Sequence, residues 1–355
     1  MSIDLGFLVF LNYDRDEDAR AALEDGLELF AHAERLGYDS GGVRIHHGVR
    51  TLTAPFPFLT AAALRTDRIR LATGIIPIGW EDPLRFAEDA ATVDLLSGGR
   101  LDLGLSSGFV AGPPESRARV VEEKLTGILA AVRGDSLGDG PFQGRRVAAA
   151  ETVGDGVAPL PHGPYATAPE DLHAFPRSPG LEHRLGYGAG SLSSALRAAR
   201  LGLNLVLSTI HSEATGPTLG HTQAELIHRY RDEFAAHHPH RTARVALGRS
   251  ILPVIDDEDR DTFIGVKAFY DRLVTDDGRY TDTPDGPGQA SPLYAGDPDD
   301  IVERLTADPA LPLADEVVLT PLTELSVAQK KRVFASVATY VAPALGWSRA
   351  SVAQG

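Results

Sequence analysis

Short apolar runs alternate with longer amphipathic segments along most of this chain. Residues 3–10 form a compact apolar run between polar neighbours, which is typical of a buried parallel strand. Apolar residues then recur at helical spacing from Leu23 to Phe30, and Gly37 follows as a suitable helix end. The first unit is therefore predicted to be a strand followed by a helix.

The same unit repeats along the chain. The predicted strands are residues 3–10, 40–45, 69–76, 101–105, 182–188, 204–208, 243–255 and 316–319. The predicted helices are the one that ends at Gly37, residues 56–64, 83–96, 114–133, 191–201, 223–236 and 257–272, one after Pro298, and 327–341. Eight strands that alternate with helices predict an α/β fold, a (β/α)8 TIM barrel, which commonly needs about 250 residues as one unit.

Two stretches lack this periodicity and are rich in Gly, Pro, Asp and Ser. Residues 134–181 and 273–296 are predicted to be insertions after strands 4 and 7, within a single domain that spans residues 1–355. Residues 275–291 contain almost no apolar side chain, so they cannot bury enough surface to order themselves. We interpret them as a lid over a cofactor or as a passive surface loop.

Composition and charge exclude several classes of protein. A hydrophobic fraction of 43% and a charged fraction of 23% predict a folded globular chain. The net charge of −15 argues against nucleic-acid and anionic membrane partners, and no apolar run approaches the roughly 18 residues of a membrane span. With no basic leader at the start, we expect a soluble, cytoplasmic protein. Because cysteine is absent, any redox chemistry must come from a bound cofactor.

The segment RTDRIRLATGIIPIGWEDPLRFAEDAATVDLLSGGRLDLGLSSG, residues 65–108, closely resembles the bacterial luciferase-like monooxygenase family. Weaker similarity runs through GYDSGGVRIHHG, GAGSLSSALRAARLGLNLVLS, AGDPDDIVERL and DEVVLTP. The resemblance implies a flavoprotein oxidoreductase, a monooxygenase that uses reduced FMN and O2 on a small organic substrate. The reduced FMN would come from a separate flavin reductase as a partner, and the resemblance further implies a homodimer.

A histidine pair follows strand 2, at the rim where barrel catalysts lie. Adjacent strand residues point to opposite faces, so at most one of His46 and His47 can face the barrel interior, which argues against a metal site. The resemblance implies that His46 is catalytic and exchanges protons near the reactive edge of the flavin. The alternative is a rim histidine that bonds a neighbouring loop. Ile45 stands where the family has an acidic residue.

The ends of strands 3 and 4 resemble the family's flavin-binding segments. The resemblance implies that Thr73, Gly74 and Ile75 contact the flavin ring, with a cis peptide bond between Gly74 and Ile75. It also implies cofactor contacts at Ser106 and Ser107, although relatives commonly carry a phosphate-binding arginine at the position of Ser107. An ordinary strand end and a tight turn are the alternatives.

The start of the helix after strand 5 resembles the family's phosphate clamp. Gly190, Ser191 and Ser194 lie there, and free N–H groups at a helix N-terminus favour an anion. A simple serine cap is the alternative.

Several further residues are candidates for the barrel interior or for a substrate pocket. Strand alternation places Arg44 and Asp102 in the barrel interior, and a buried arginine is rarely unpaired, so we predict an ion pair between them. Four loop residues are candidates for a substrate pocket: Trp80, Phe109, His162 and Tyr165.

Two other functions stay open at this point. A deazaflavin-dependent oxidoreductase could use the same fold and transfer hydride without oxygen. A non-catalytic flavin-binding homologue is the other possibility, because Ser107 and Ile45 depart from the family pattern. The substrate itself cannot be predicted from this sequence.

Overall fold

The computed structural model describes residues 3–108, 113–136, 173–274, 279–280 and 288–349. The chain forms two compact units. The larger comprises Met1–Ile76, Arg100–Ser106 and His183–Gly355, and the smaller comprises Pro77–Gly99 and Ser107–Glu182. That residues 1–355 fold as one domain stays a prediction.

Eight parallel strands close into a barrel. They are β1 (Asp4–Val9), β2 (Ser40–Val43), β3 (Arg70–Pro77), β4 (Leu101–Ser106), β5 (Leu185–Gly188), β6 (Asn204–Leu207), β7 (Val245–Arg249) and β8 (Glu316–Leu319). Each strand pairs with the next in chain order, and β8 closes the ring against β1, where Asp4 lies opposite Glu316. The predicted (β/α)8 TIM barrel is confirmed.

Nine helices follow these strands in the part of the chain that the structure describes. They are α1 (Ala19–Leu36), α2 (Pro55–Ala63), α3 (Pro83–Leu96), α4 (Pro114–Arg133), α5 (Leu192–Arg200), α6 (Leu219–His237), α7 (Asp257–Leu273), α8 (Pro298–Thr306) and α9 (Val327–Ser336). The bounds of α3 and α4 are those predicted. Helix α1 ends at Gly37, whose φ of 101° is left-handed and whose N–H bonds the Ala33 carbonyl at 3.1 Å. No described helix is long and apolar enough to cross a membrane.

The prediction of one long strand over residues 243–255 is wrong. Strand β7 ends at Arg249, and Ile251–Pro253 forms a separate strand that pairs in parallel with Tyr294–Gly296. The predicted start of β5 at residue 182 is also early, because Leu181–Arg184 forms a 3-10 turn. Both errors have one cause. An apolar run indicates that residues are buried, but it does not indicate where the hydrogen bonds to a neighbouring strand begin and end.

An aromatic cluster joins β1 to α1 and α9 on the outer side of the barrel. The Phe7 ring lies 5.1 Å from the Phe30 ring and 4.8 Å from the Phe334 ring. A Cβ on Gly41 would lie 2.7 Å from the Phe7 ring and 2.8 Å from the Phe30 ring. This close approach explains why β2 carries glycine at that position, where any side chain would force the rings apart.

A buried ion pair ties the end of β7 to the residues that follow α8. Arg249 is fully buried, and its Nε donates to the Oδ2 of Asp308 at 2.8 Å. The hydroxyl of Tyr294 donates to the same oxygen at 2.8 Å, and the Ala310 N–H donates to the other oxygen at 3.0 Å. Burial alone would raise the pKa of Asp308, but the charge and hydrogen bond of Arg249 hold that pKa below its usual value.

In the smaller unit, α3 begins at a capping carboxylate. The Asp82 side chain accepts from the backbone N–H groups of Leu84 at 3.1 Å and Arg85 at 3.2 Å. Asp94 on the same helix is fully buried and accepts from the Ser178 hydroxyl, which ties the segment around Ser178 to α3. Residues 137–172 of the first predicted insertion lie outside the described residues, as do residues 275–278 and 281–287 of the second. The latter are most of residues 275–291, interpreted as a lid.

We predict that Asp308→Ala lowers the free energy of unfolding by about 3–5 kcal/mol, because it leaves the Arg249 charge buried without a partner. Urea unfolding followed by circular dichroism measures this change. Glu303→Ala on the exposed side of α8 is the matched control and should stay within about 0.5 kcal/mol of the parent chain. A loss below about 1 kcal/mol for Asp308→Ala would show that the pair contributes little.

Candidate active site

A cavity of about 700 Å³ occupies the interior of the barrel in the larger unit. Alternate residues of each strand face inward, so β2 and the residues after it contribute Ser40, Gly42, Arg44 and His46. Six glycines line the cavity: Gly42, Gly74, Gly104, Gly188, Gly190 and Gly248. Bulky side chains usually fill the interior of a TIM barrel, and these glycines instead leave space within the usual range for a ligand pocket.

The floor of the cavity is a cluster of charged side chains at the N-terminal ends of the strands. Arg70 Nη2 lies 3.0 Å from Asp4 Oδ2 and 3.1 Å from Glu316 Oε1, and Arg70 Nε lies 3.7 Å from Asp102 Oδ2. Arg244 Nη2 reaches the same Asp4 oxygen at 2.9 Å. Three carboxylates thus share two arginines.

Asp102 faces Arg70 in this floor, so the predicted ion pair between Arg44 and Asp102 is wrong. The prediction used the face of the strand correctly, since both side chains line the cavity. The prediction did not take into account the position of each residue along the barrel axis. Ser40 is level with Arg70 in the register of β2 and β3, and Arg44 lies four residues further along the chain. Four residues of strand span about 13 Å, so Arg44 lies well above the floor that contains Asp102.

The floor cluster makes the stability of the fold depend on pH. The pKa of Asp102 is raised from 3.8 to about 6, because burial and then the charge of Glu316 raise it by more than Arg70 and Arg244 lower it. In the folded chain Asp102 therefore takes up its proton as the pH falls through about 6, whereas in the unfolded chain it does so only near pH 3.8. The contribution of Asp102 to stability is fully present at low pH and is lost as the pH rises through about 6.

We predict that the stability of the parent chain relative to Asp102→Asn increases by about 2–3 kcal/mol between pH 7 and pH 4. The neutral asparagine binds no proton, so the variant lacks this part of the pH dependence. Urea unfolding of both chains at the two pH values gives the difference. Asp300→Asn, on the exposed surface of α8, is the control and should show no such change. An equal difference at both pH values would mean that Asp102 titrates alike in both states.

The histidine pair lies at the mouth of the cavity. His46 lines the cavity and its side chain is exposed, while its backbone N–H donates to the Leu52 carbonyl at 3.2 Å. His47 is half-buried, and burial, followed by the neighbouring His46, lowers its pKa below the usual value. His46 is the one histidine among the described residues that line the cavity. Its position suits a catalytic role, and that role stays a prediction.

The ends of β3, β4 and β5 form one wall. Thr73, Gly74, Ile75 and Ser106 all line the cavity. The Thr73 hydroxyl donates to a backbone carbonyl of β4 at 3.0 Å, and the Ser106 hydroxyl donates to the Gly188 carbonyl at 3.1 Å. The peptide bond between Gly74 and Ile75 is cis in the structure, as the resemblance implies.

The start of α5 borders this wall at Gly190, which lines the cavity. Ser191 and Ser194 form a capping box, in which each side-chain oxygen accepts the backbone N–H of the other at 3.3 Å and 3.2 Å. The next N–H, that of Leu192, donates to the Oε2 of Glu213 at 2.8 Å. The helix start therefore does hold an anionic group, and that group is a carboxylate of this chain.

The remaining predicted residues do not gather at the cavity. Ser107 follows β4 and belongs to the smaller unit, and Trp80 there is exposed in the turn Ile78–Trp80. Phe109, His162 and Tyr165 lie outside the described residues. Glu213 is a further residue of the site that no sequence pattern predicts, because its bond to Leu192 joins residues 21 positions apart. In the described part of the chain, no group of three His, Asp or Glu side chains could hold a metal ion.

Comparison with known proteins gives the family. Residues 5–345 match the sequence model of the luciferase-like monooxygenases, which is nearly the whole chain. The chain therefore belongs to the luciferase-like monooxygenase family.

Two curated relatives are monooxygenases. Limonene 1,2-monooxygenase of Rhodococcus erythropolis is 32% identical over 145 residues, which cover 38% of this chain and 37% of that protein. The oxygenase component of the flavin-dependent trigonelline monooxygenase of Acinetobacter baylyi is 35% identical over 107 residues, 29% of this chain and 30% of that protein. The chain thus spans well under half of the length of these relatives.

Solved structures with the same fold bind different cofactors. The oxygenating constituent of 3,6-diketocamphane monooxygenase from Pseudomonas putida, in complex with FMN, has a TM-score of 0.66 and 16% identity, covering 98% of this chain and all of that one. The coenzyme F420-dependent tetrahydromethanopterin reductase of Methanopyrus kandleri has a TM-score of 0.60 and 17% identity, covering 97% and 99%. At these identities the likeness is one of fold.

We predict that Glu213→Gln tightens the binding of FMN about five- to ten-fold and leaves riboflavin affinity unchanged. A phosphate at the start of α5 would compete with the Glu213 carboxylate for the Leu192 N–H, and glutamine removes the competing charge. Fluorescence titration of both flavins measures the effect, with Glu225→Gln on the exposed face of α6 as the control. Equal changes for the two flavins would mean that no phosphate binds there.

Proposed function

We propose that this protein is an FMN-dependent monooxygenase, which oxidises a small organic substrate with O2 and receives reduced FMN from a separate flavin reductase. The observation that carries the proposal is the glycine-lined cavity of about 700 Å³, with His46 at its mouth. The relative named as an oxygenase component supports the separate reductase. The proposal includes a homodimer, which the exposed Leu95 and Leu96 on α3 support.

The residues present fit a flavin. Gly74, Ile75 and Ser106 line one wall against which the ring would lie, and the inward glycines leave room for its planar face. The carboxylate of Glu213 stands in for an anionic group at the start of α5, where the flavin phosphate would replace it. Bound reduced flavin supplies the electrons that activate O2, and the chain supplies position and protons.

His46 is the proton-transferring residue in this proposal. Its ring lies at the open end of the cavity, so it can exchange protons with solvent between turnovers and with reacting atoms inside. No described side chain fixes its ring by a hydrogen bond, and Ile45 leaves no acidic residue immediately before it to do so. The ring is therefore free to turn toward the substrate.

We predict that His46→Ala keeps the fold and the flavin affinity and lowers turnover about 100-fold or more, the scale for a lost proton-transfer group. Turnover is measured as substrate-dependent O2 consumption with an added flavin reductase. His228→Ala, exposed on α6, is the control and should turn over like the parent chain. Undiminished turnover of His46→Ala would assign His46 a structural role.

A deazaflavin-dependent oxidoreductase is the second candidate, favoured by the fold it shares with the F420-dependent reductase and by Ser107 in place of a charged residue. Purification from a host that makes both cofactors distinguishes the two, because the protein retains the flavin that it binds. Flavin binding with no turnover on any substrate would support the third possibility, a non-catalytic flavin-binding homologue.

A further inference from the structure

The cavity contains an arginine that has no acidic partner among the described residues. Arg44 lines the cavity two residues before His46, and its Nε is buried without a hydrogen-bond acceptor. Within the described ranges no aspartate or glutamate forms an ion pair with it. Its guanidinium lies 5.5 Å from the centre of the Phe10 ring, and this contact holds the charge in place without neutralising it.

Arg44 as a whole is half-buried, and its Nε is the buried atom that lacks an acceptor among the described residues. A buried donor without a partner is costly, and arginine cannot remove the cost by losing its proton. Burial lowers the pKa of Arg44 below its usual value. The acidic residues that line the cavity, Asp102 and Glu316, belong to the floor and contact Arg70. The cation at the mouth is therefore available to an anion that enters from outside.

We infer that Arg44 is the binding site for a carboxylate group of the substrate, so that the substrate is a small organic acid. A guanidinium binds a carboxylate through two parallel hydrogen bonds, which fix orientation as well as position. Because Arg44 and His46 lie on the same face of the chain after β2, a substrate held by Arg44 would be presented beside His46. The inference rests on the proposed function in assigning the carboxylate to a substrate.

Arg44 lies far from the start of α5, where the flavin phosphate is proposed to bind. Phe10, which Arg44 contacts, follows β1, and Gly190 follows β5. In a ring of eight strands, β1 and β5 lie four strands apart, on opposite sides of the barrel. An anion at the start of α5 and an anion at Arg44 are therefore two different groups at opposite sides of the mouth, which suits a cofactor phosphate and a substrate carboxylate.

The test compares carboxylates with their uncharged amides. Calorimetry measures binding of acetate, benzoate and octanoate, and of the matching amides, to the full chain at constant ionic strength. We expect at least one carboxylate to bind the parent chain about 10- to 100-fold more tightly than its amide, and Arg44→Met to abolish that preference. Arg44→Lys should retain part of it, since a point charge remains without the paired donors.

Arg229→Met, exposed on α6, removes the same charge away from the cavity and should retain the full preference. Circular dichroism verifies the fold of each variant, and Arg44→Lys decides the question if Arg44→Met does not fold. The inference is wrong if the parent chain prefers none of the three carboxylates, or if the preference survives in Arg44→Met. Where Arg44→Met does not fold, an undiminished preference in Arg44→Lys overturns the inference.

FMN titration of the same variants separates this inference from the proposed function. Unchanged FMN affinity in Arg44→Met supports a substrate role. A loss of FMN affinity with an unchanged carboxylate preference would assign Arg44 to the cofactor and overturn the inference. If no chain binds flavin while the Arg44-dependent preference persists, the proposed function fails and the carboxylate site stands.

Discussion

Charged side chains hold the lower end of the barrel together, and the cavity above depends on them. Asp4, Arg70, Asp102 and Glu316 come from β1, β3, β4 and β8, and Arg244 immediately precedes β7. The cluster links strands that are distant in the chain and occupies the floor, so the empty space lies toward the C-terminal ends of the strands. That is the end at which barrel enzymes place their chemistry. Because the charged floor fills the N-terminal end of the barrel, the cavity lies toward the C-terminal end.

Strand β2 has glycine both on its outer face, against the surrounding helices, and on its inner face, toward the cavity. Gly41 faces outward, where the rings of Phe7 and Phe30 leave no space for a side chain. Gly42 faces inward and widens the cavity, and Arg44 follows it on the same face. Gly41 and Gly42 therefore have separate structural reasons.

Local signals predicted most of the fold. The bounds of α3 and α4 followed from proline at the helix start and from periodicity, and β8 was predicted to the residue. Six of the nine predicted site residues, His46, Thr73, Gly74, Ile75, Ser106 and Gly190, line one cavity. The failures were pairings between distant segments: the strand break at Ser250, the partner of Asp102, and the bond from Leu192 to Glu213. A linear pattern gives the face of a strand, whereas height along the barrel axis depends on register with strands elsewhere.

Glu213 also connects the start of α5 to the segment that follows β6 by hydrogen bonds. Glu213 shares a hydrogen-bonded loop with His211, whose Nδ1 lies 2.9 Å from the Glu213 carbonyl and 3.2 Å from its N–H. His211 in turn pairs with Gln289, which lies within residues 273–296, the predicted insertion after β7. The start of α5 is therefore joined by hydrogen bonds, through Glu213 and His211, to the strand that contains Gln289. Three segments that follow consecutive barrel strands thus share one continuous set of contacts.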